Sequence, residues 1–197
     1  MSGPGSFRPG ALKPLRFPIL VSYGRKAELT CFRLRPRTRK GFILADSLAL
    51  NLEDSPALLP DYLAWAGRFF PGALKWQVDW PDQEREKLQK ALQLPRAGYL
   101  AGDSWTLPLF LALDCLEHGR LWPAAILASG AVRRARGLRC AAIGGARFKL
   151  RRARAAGCRL LLPISNFRSL QRAGWDLSDC LPLPPNLETC LSLWRAL

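Results

Sequence analysis

One histidine, His118, serves the whole chain, and its six cysteines include no CxxC pair. These shortages exclude multi-histidine metal centres and argue against structural zinc, whose ligands come in close Cys and His pairs. They also weaken a Ser-His-Asp reading, because the only imidazole lies in EHGR, which has the character of a helix end. Charges or prolines break every apolar run before the ~20 residues of a membrane span. The opening residues, MSGPGSFRPG, lack the apolar stretch of an export signal. Reduced thiols and a cytoplasmic location are therefore expected. No GxxxxGK[ST] loop occurs, so an ATPase module is not expected within the chain. Acidic residues are missing from the entire interval between His118 and Trp175, which holds thirteen lysines and arginines.

That interval accounts for most of the formal net charge of +15. A block of one sign favours an acidic partner: nucleic acid, an acidic protein surface or an acidic substrate. The bland alternative is a solvated basic face. The remainder is globular in character. With 49% hydrophobic residues, 7 Trp and 9 Phe in 197 residues, the chain can bury one sizeable core. Residues 1–14, rich in Gly and Pro, read as a flexible arm, and 15–197 as a single domain.

Hydrophobic periodicity divides that domain. FPILVSY and AELTCFRL read as strands about a turn at Gly24, and GFILADSLAL as a third strand. SPALLPDYLAWAGRFF has helical spacing, ALKWQVDW is a short strand, and PDQEREKLQKALQL is a charged helix. WTLPLFLALDCLEH is apolar on nearly every face, as a buried helix is, with Pro108 tolerated in its first turn. AAILASGAV reads as one buried strand and LRCAAIGG as another ending in a glycine turn. ARFKLRRARAAG is a helix closed by Gly157, CRLLLPIS a strand, FRSLQRAG a short helix, CLPLPP an extended piece, and LETCLSLWRAL a terminal helix. Without a regular βαβ repeat, this mixture is α+β.

Three segments carry chemistry. On the ARFKLRRARAAG helix, at about 100° per residue, Arg147, Arg151 and Arg154 share one face. Lys149, Ala153 and Ala156 share the opposite one. A lysine among alanines on an inward face is either snorkelling or a buried amine. Upstream, Gly102, Asp103 and Ser104 form a Gly-x-Ser step before the buried helix. Taken alone, Ser104 is a helix cap. Between them stands Ser129-Gly130.

Together these segments resemble the proteolytic domain of the Lon protease family. The family's Gly-Gly pair falls on Gly144 and Gly145, and its catalytic lysine on Lys149. The Ala-rich helix that follows carries Ala153 and Ala156, the strand after it ends at Pro163, and the family's asparagine is Asn166. The nucleophile of the Gly-x-Ser step is Ser104, 45 residues before the lysine. Ser129 matches the hydroxyl that supports the lysine. The resemblance implies a Lon-proteolytic-domain-like (ribosomal protein S5 domain 2-like) fold and a serine endopeptidase with a Ser-Lys dyad acting on protein substrates. It implies no cofactor and no metal.

Such a lysine must be neutral to act as base, so its pKa must fall several units from about 10.4. Burial among alanines and nearby arginines would both act in that direction. The backbone N–H groups of Asp103 and Ser104 are the expected oxyanion hole. Lacking a nucleotide loop, the chain is expected to work with a separately encoded ATPase or other acidic delivery partner, docked on Arg147, Arg151 and Arg154. Two features depart from the family: the acidic residue of YLAGDSW is adjacent to the serine, and residues 82–95 are a charged insertion. The alternatives are an inactive Lon-like scaffold of a larger complex and a basic nucleic-acid-binding module. Against the latter, basic and aromatic residues do not alternate.

Overall fold

The computed structural model describes residues 14–36, 43–44, 66–71, 76–94, 102–135 and 137–197. The expected flexible arm, most of the third strand and most of the SPALLPDYLAWAGRFF helix lie outside them; of that helix, residues 66–69 are helical.

Strand alternation builds the first hairpin. β1 (Leu15–Tyr23) and β2 (Lys26–Pro36) are antiparallel about Gly24, with Phe17 opposite Phe32. Both rings are fully buried and meet edge to face at 5.9 Å, a favoured aromatic geometry. β3 (Ile43–Leu44) and β4 (Trp76–Asp79) complete a sheet of order β1-β2-β4-β3, in which β4 is antiparallel to β2 and parallel to β3. Helix α1 (Asp82–Leu92), the expected charged helix, packs on β2 and buries Leu88 and Leu92.

Helix α2 (Thr106–Glu117) is buried on all sides from Thr106 to Cys115 and is capped by His118. Pro108 falls in its first turn, where a missing N–H leaves no broken bond. Then follow β5 (Ile126–Ala128), β6 (Ala131–Ala135), β7 (Gly137–Ala141), α3 (Ala146–Ala155), β8 (Arg159–Pro163), α4 (Ile164–Arg172), β9 (Cys180–Leu183) and α5 (Leu187–Arg195). β5, β8 and β9 form a parallel sheet in the order β5-β8-β9, and β6 with β7 forms a separate hairpin. The architecture is a mixed α+β domain.

The single strand expected over AAILASGAV is two strands in different sheets, broken at Ser129-Gly130. Backbone groups at the break bond elsewhere. Ser129 N–H donates to Leu161 O, Gly130 N–H donates to Ser104 O, and Gly130 O accepts from Leu107 N–H. A Cβ at Gly130 would lie 2.6 Å from Leu107 Cδ2 and 3.1 Å from Pro163 Cγ, so any side chain here would have to displace those packed neighbours. An unbroken run of small and apolar residues gives no hint of such a break.

The apolar side chains form two cores, and three strands face both. Phe17 and Ile19 of β1, Ile126 and Ala128 of β5, and Leu161 of β8 belong to the larger. Leu20, Leu127, Leu160 and Leu162 of the same strands belong to the smaller. This is the period-two alternation of a strand buried on both faces. Most of α2 joins the larger core, whereas Leu150 and Ala153 of α3 join the smaller.

Candidate functional site

Ser104 stands in a turn, two residues before the first residue of α2, rather than within the helix. Gly102 enters that turn at φ +83, a conformation open to glycine but strained for side-chain-bearing residues. Four hydrogen bonds hold it. Asp103 O accepts from both the N–H and the Oγ1 of Thr106, at 3.0 and 2.7 Å. Thr106 Oγ1 accepts from Val132 N–H at 2.8 Å. Gly130 N–H reaches Ser104 O at 3.2 Å. The turn is thereby referenced to the break between β5 and β6.

Lys149 is the fourth residue of α3. Gly145 starts that helix from a left-handed conformation, φ +67, and its carbonyl accepts from the N–H groups of Phe148 and Lys149. A Cβ on Gly145 would fall onto Ser22 Oγ and lie 2.7 Å from Ser22 Cβ, so both φ and contact demand glycine. Asn166, from α4, brackets the preceding segment. Its Oδ1 accepts from Ile143 N–H and its Nδ2 donates to Ile143 O, both at 2.9 Å. Arg152 ties α3 to Glu28 of β2 at 2.8 Å.

These two constructions bring the side chains together. Lys149 Nζ donates to Ser104 Oγ at 2.9 Å and to Ser129 Oγ at 3.0 Å. Lys149 is 1% exposed and Ser129 fully buried, while Ser104 is half-buried and opens onto a pocket of about 530 Å³. Gly102, Asp103, Gly144, Gly145 and Phe148 line that pocket, with Ile19 and Val21 of β1. Burial lowers the Lys149 pKa to about 7, against a smaller upward pull from Asp103. Neutral lysine thus exists near neutral pH, within hydrogen-bond reach of a serine hydroxyl.

Several expectations are corrected. Burial, not the arginines, lowers this pKa, and the charge that bears on the amine is the Asp103 anion, which pulls it up. Ala156 is exposed at the end of α3, so the inward face there is Lys149, Leu150 and Ala153. Arg147 and Arg151 are exposed, their guanidinium groups over the Phe148 and Trp175 rings at 4.5 and 5.0 Å. Arg154 is committed internally, paired with Asp176 and Asp179 at 3.2 Å each, so it is no free docking residue.

One participant escaped the sequence reading. Arg133 of β6 lines the same pocket and forks onto Asp103, with Nε 2.8 Å from Oδ2 and Nη2 3.3 Å from Oδ1. Among so many arginines, nothing in the sequence singles this one out.

Among the described residues, no group of three or more His, Cys, Asp or Glu is placed to hold a metal ion, and no helix is long and apolar enough to cross a membrane. No family model matches the chain, and no curated protein matches it in sequence.

Proposed function

We propose that this chain is a serine endopeptidase of Lon type, with Ser104 as nucleophile and Lys149 as general base. The observation that carries the reading is the 2.9 Å contact between a half-exposed serine hydroxyl and a buried lysine whose pKa lies at about 7. Neutral Lys149 takes the Ser104 proton as Oγ bonds to the scissile carbonyl carbon. The backbone N–H groups of Asp103 and Ser104 stabilise the resulting oxyanion. The ammonium of Lys149 then protonates the leaving amine as the C–N bond breaks, leaving an acyl-serine. Water, deprotonated by the same amine, hydrolyses that ester and restores both groups. Ser129 holds the amine towards Ser104 throughout.

The test follows from the sign of the pKa shift. The base works only when neutral, so cleavage of a short unstructured peptide should fall as pH drops below about 7. The fall should approach about tenfold per pH unit, because each unit removes that factor of the neutral form. A rate that is flat from acid to neutral pH contradicts the assignment. An inactive scaffold has no need of a serine and a lysine within reach of one proton, so the 2.9 Å contact favours the peptidase reading over it.

A pocket of about 530 Å³ over Ser104 admits only a short extended stretch of chain, so folded substrates need delivery. The exposed Arg147 and Arg151 of α3 suit an acidic delivery partner, such as a separately encoded ATPase. In crude extract, Arg147→Glu with Arg151→Glu should slow degradation of a folded substrate several-fold while cleavage of the short peptide continues. Equal rates for the folded substrate before and after the change would remove this surface from the account.

A further inference from the structure

Asp103 is oddly placed for a site that needs a neutral amine. It adjoins Ser104 in the chain, its side chain is only 15% exposed, and its charge favours the protonated form of Lys149. A carboxylate alone in this position would work against the base. Its counter-ion is Arg133, whose fork covers both carboxylate oxygens.

The pair also solves a problem on the hairpin. In the β6–β7 register Arg133 stands directly opposite Arg139, and both are exposed. Like charges directly opposite on a two-stranded ribbon destabilise it, and Asp103 offsets that repulsion.

Few charged groups face the amine. Asp103, Arg133 and Lys149 are the charged residues among those described as lining the pocket. The turn contributes Asp103 and β6 contributes Arg133. β1 contributes Ile19, Val21 and Ser22, and the end of β5 contributes Ser129. On α3 itself, Arg147 and Arg151 are exposed with their guanidinium groups over the Phe148 and Trp175 rings, and Arg152 is bound to Glu28 of β2.

We propose that Arg133 is a positioning residue of this site: it holds the Asp103 carboxylate neutralised against the hairpin, and so keeps an uncompensated anion from the Lys149 amine. It does not touch the reacting atoms. It acts on Lys149 through Asp103, and this role rests on the dyad reading given above.

The experiment follows the Lys149 titration directly, using lysine labelled with 13C at Cε and the signal assigned by Lys149→Gln. Arg133→Gln leaves Asp103 uncompensated and should raise the Lys149 midpoint by about 0.5–1 pH, as an unscreened nearby anion does. The acid limb of peptide cleavage should move with it, giving a roughly three- to tenfold lower rate at pH 6. Arg133→Lys, which restores a positive charge, should recover most of the shift. Asp103→Asn should lower the midpoint. In the Asp103→Asn background, Arg133→Gln should move it far less than in the native chain, because coupled residues are not additive.

No shift in Arg133→Gln, a downward shift, or an equal shift with and without Asp103 overturns the proposal. Arg133 is 58% exposed, so its substitution does not threaten folding. The two readings fail separately. If the midpoints move as described and no peptide is cut, the peptidase reading falls and the charge balance stands. If peptide is cut and Arg133 leaves the midpoint unmoved, the reverse holds.

Discussion

Ser104→Ala and Lys149→Ala should each lower peptide cleavage by a factor on the order of 10³ or more, and the double variant should be little worse than either. On the proposed reading, nucleophile and base act as one unit at a 2.9 Å contact, so losing either removes the same step. Lys149→Arg should be equally inactive, since a guanidinium does not deprotonate near neutral pH. Purified proteins assayed on a short unstructured peptide, with circular dichroism to show the fold retained, decide the matter. Substantial cleavage by Ser104→Ala would end the assignment of Ser104.

Lys149→Met should inactivate the protein and make it more stable. The unfolded lysine titrates near 10.5 and the folded one near 7, the difference arising from burial. Between those values the unfolded chain holds a proton that the folded chain has given up, so stability rises with pH across that window. Below about pH 7 the full penalty is present, on the order of 5 kcal/mol at 1.36 kcal/mol per unit. Methionine removes the charge and fills a similar space. It also strips the buried Ser129 hydroxyl of its partner, at about 1–3 kcal/mol. A net gain of roughly 2–4 kcal/mol is expected near pH 6, shrinking as pH approaches 10. Urea unfolding of both proteins at pH 6 and pH 9 measures it. A Lys149→Met protein less stable at pH 6 would show that the native amine is not held under strain.

The residues that meet at the candidate site were more legible in the sequence than the packing that supports them. Ser104, Ser129 and Lys149 stand in short segments whose order and spacing are visible along the chain. The helix facing Lys149 inward could be deduced from its 3.6-residue period. Ala156 was misplaced because periodicity takes no account of where a helix stops. The expected influence of the arginines failed because a charge block has no direction in sequence: Arg147 and Arg151 lie over aromatic rings, and Arg152 and Arg154 pair with acidic residues far along the chain. The Asp103–Arg133 pair spans 30 residues and leaves no local pattern. The break at Ser129-Gly130 was hidden for a related reason: it is set by contacts with Leu107 and Pro163, and neither is a neighbour in sequence.

The two cores give the dyad an unusual mechanical situation. The serine turn leads into the helix packed in the larger core, and the lysine sits on the helix packed in the smaller one. Each half is cohesive by itself, but the distance between the reacting atoms belongs to neither. It is set across the shared wall of β1, β5 and β8, and by the few backbone bonds at Gly130 and Ile143. A slip of one half against the other by a fraction of an ångström would leave both cores nearly intact and still lengthen the Ser104–Lys149 contact. The Ser104–Lys149 geometry therefore depends on how the two cores are seated against their shared strands.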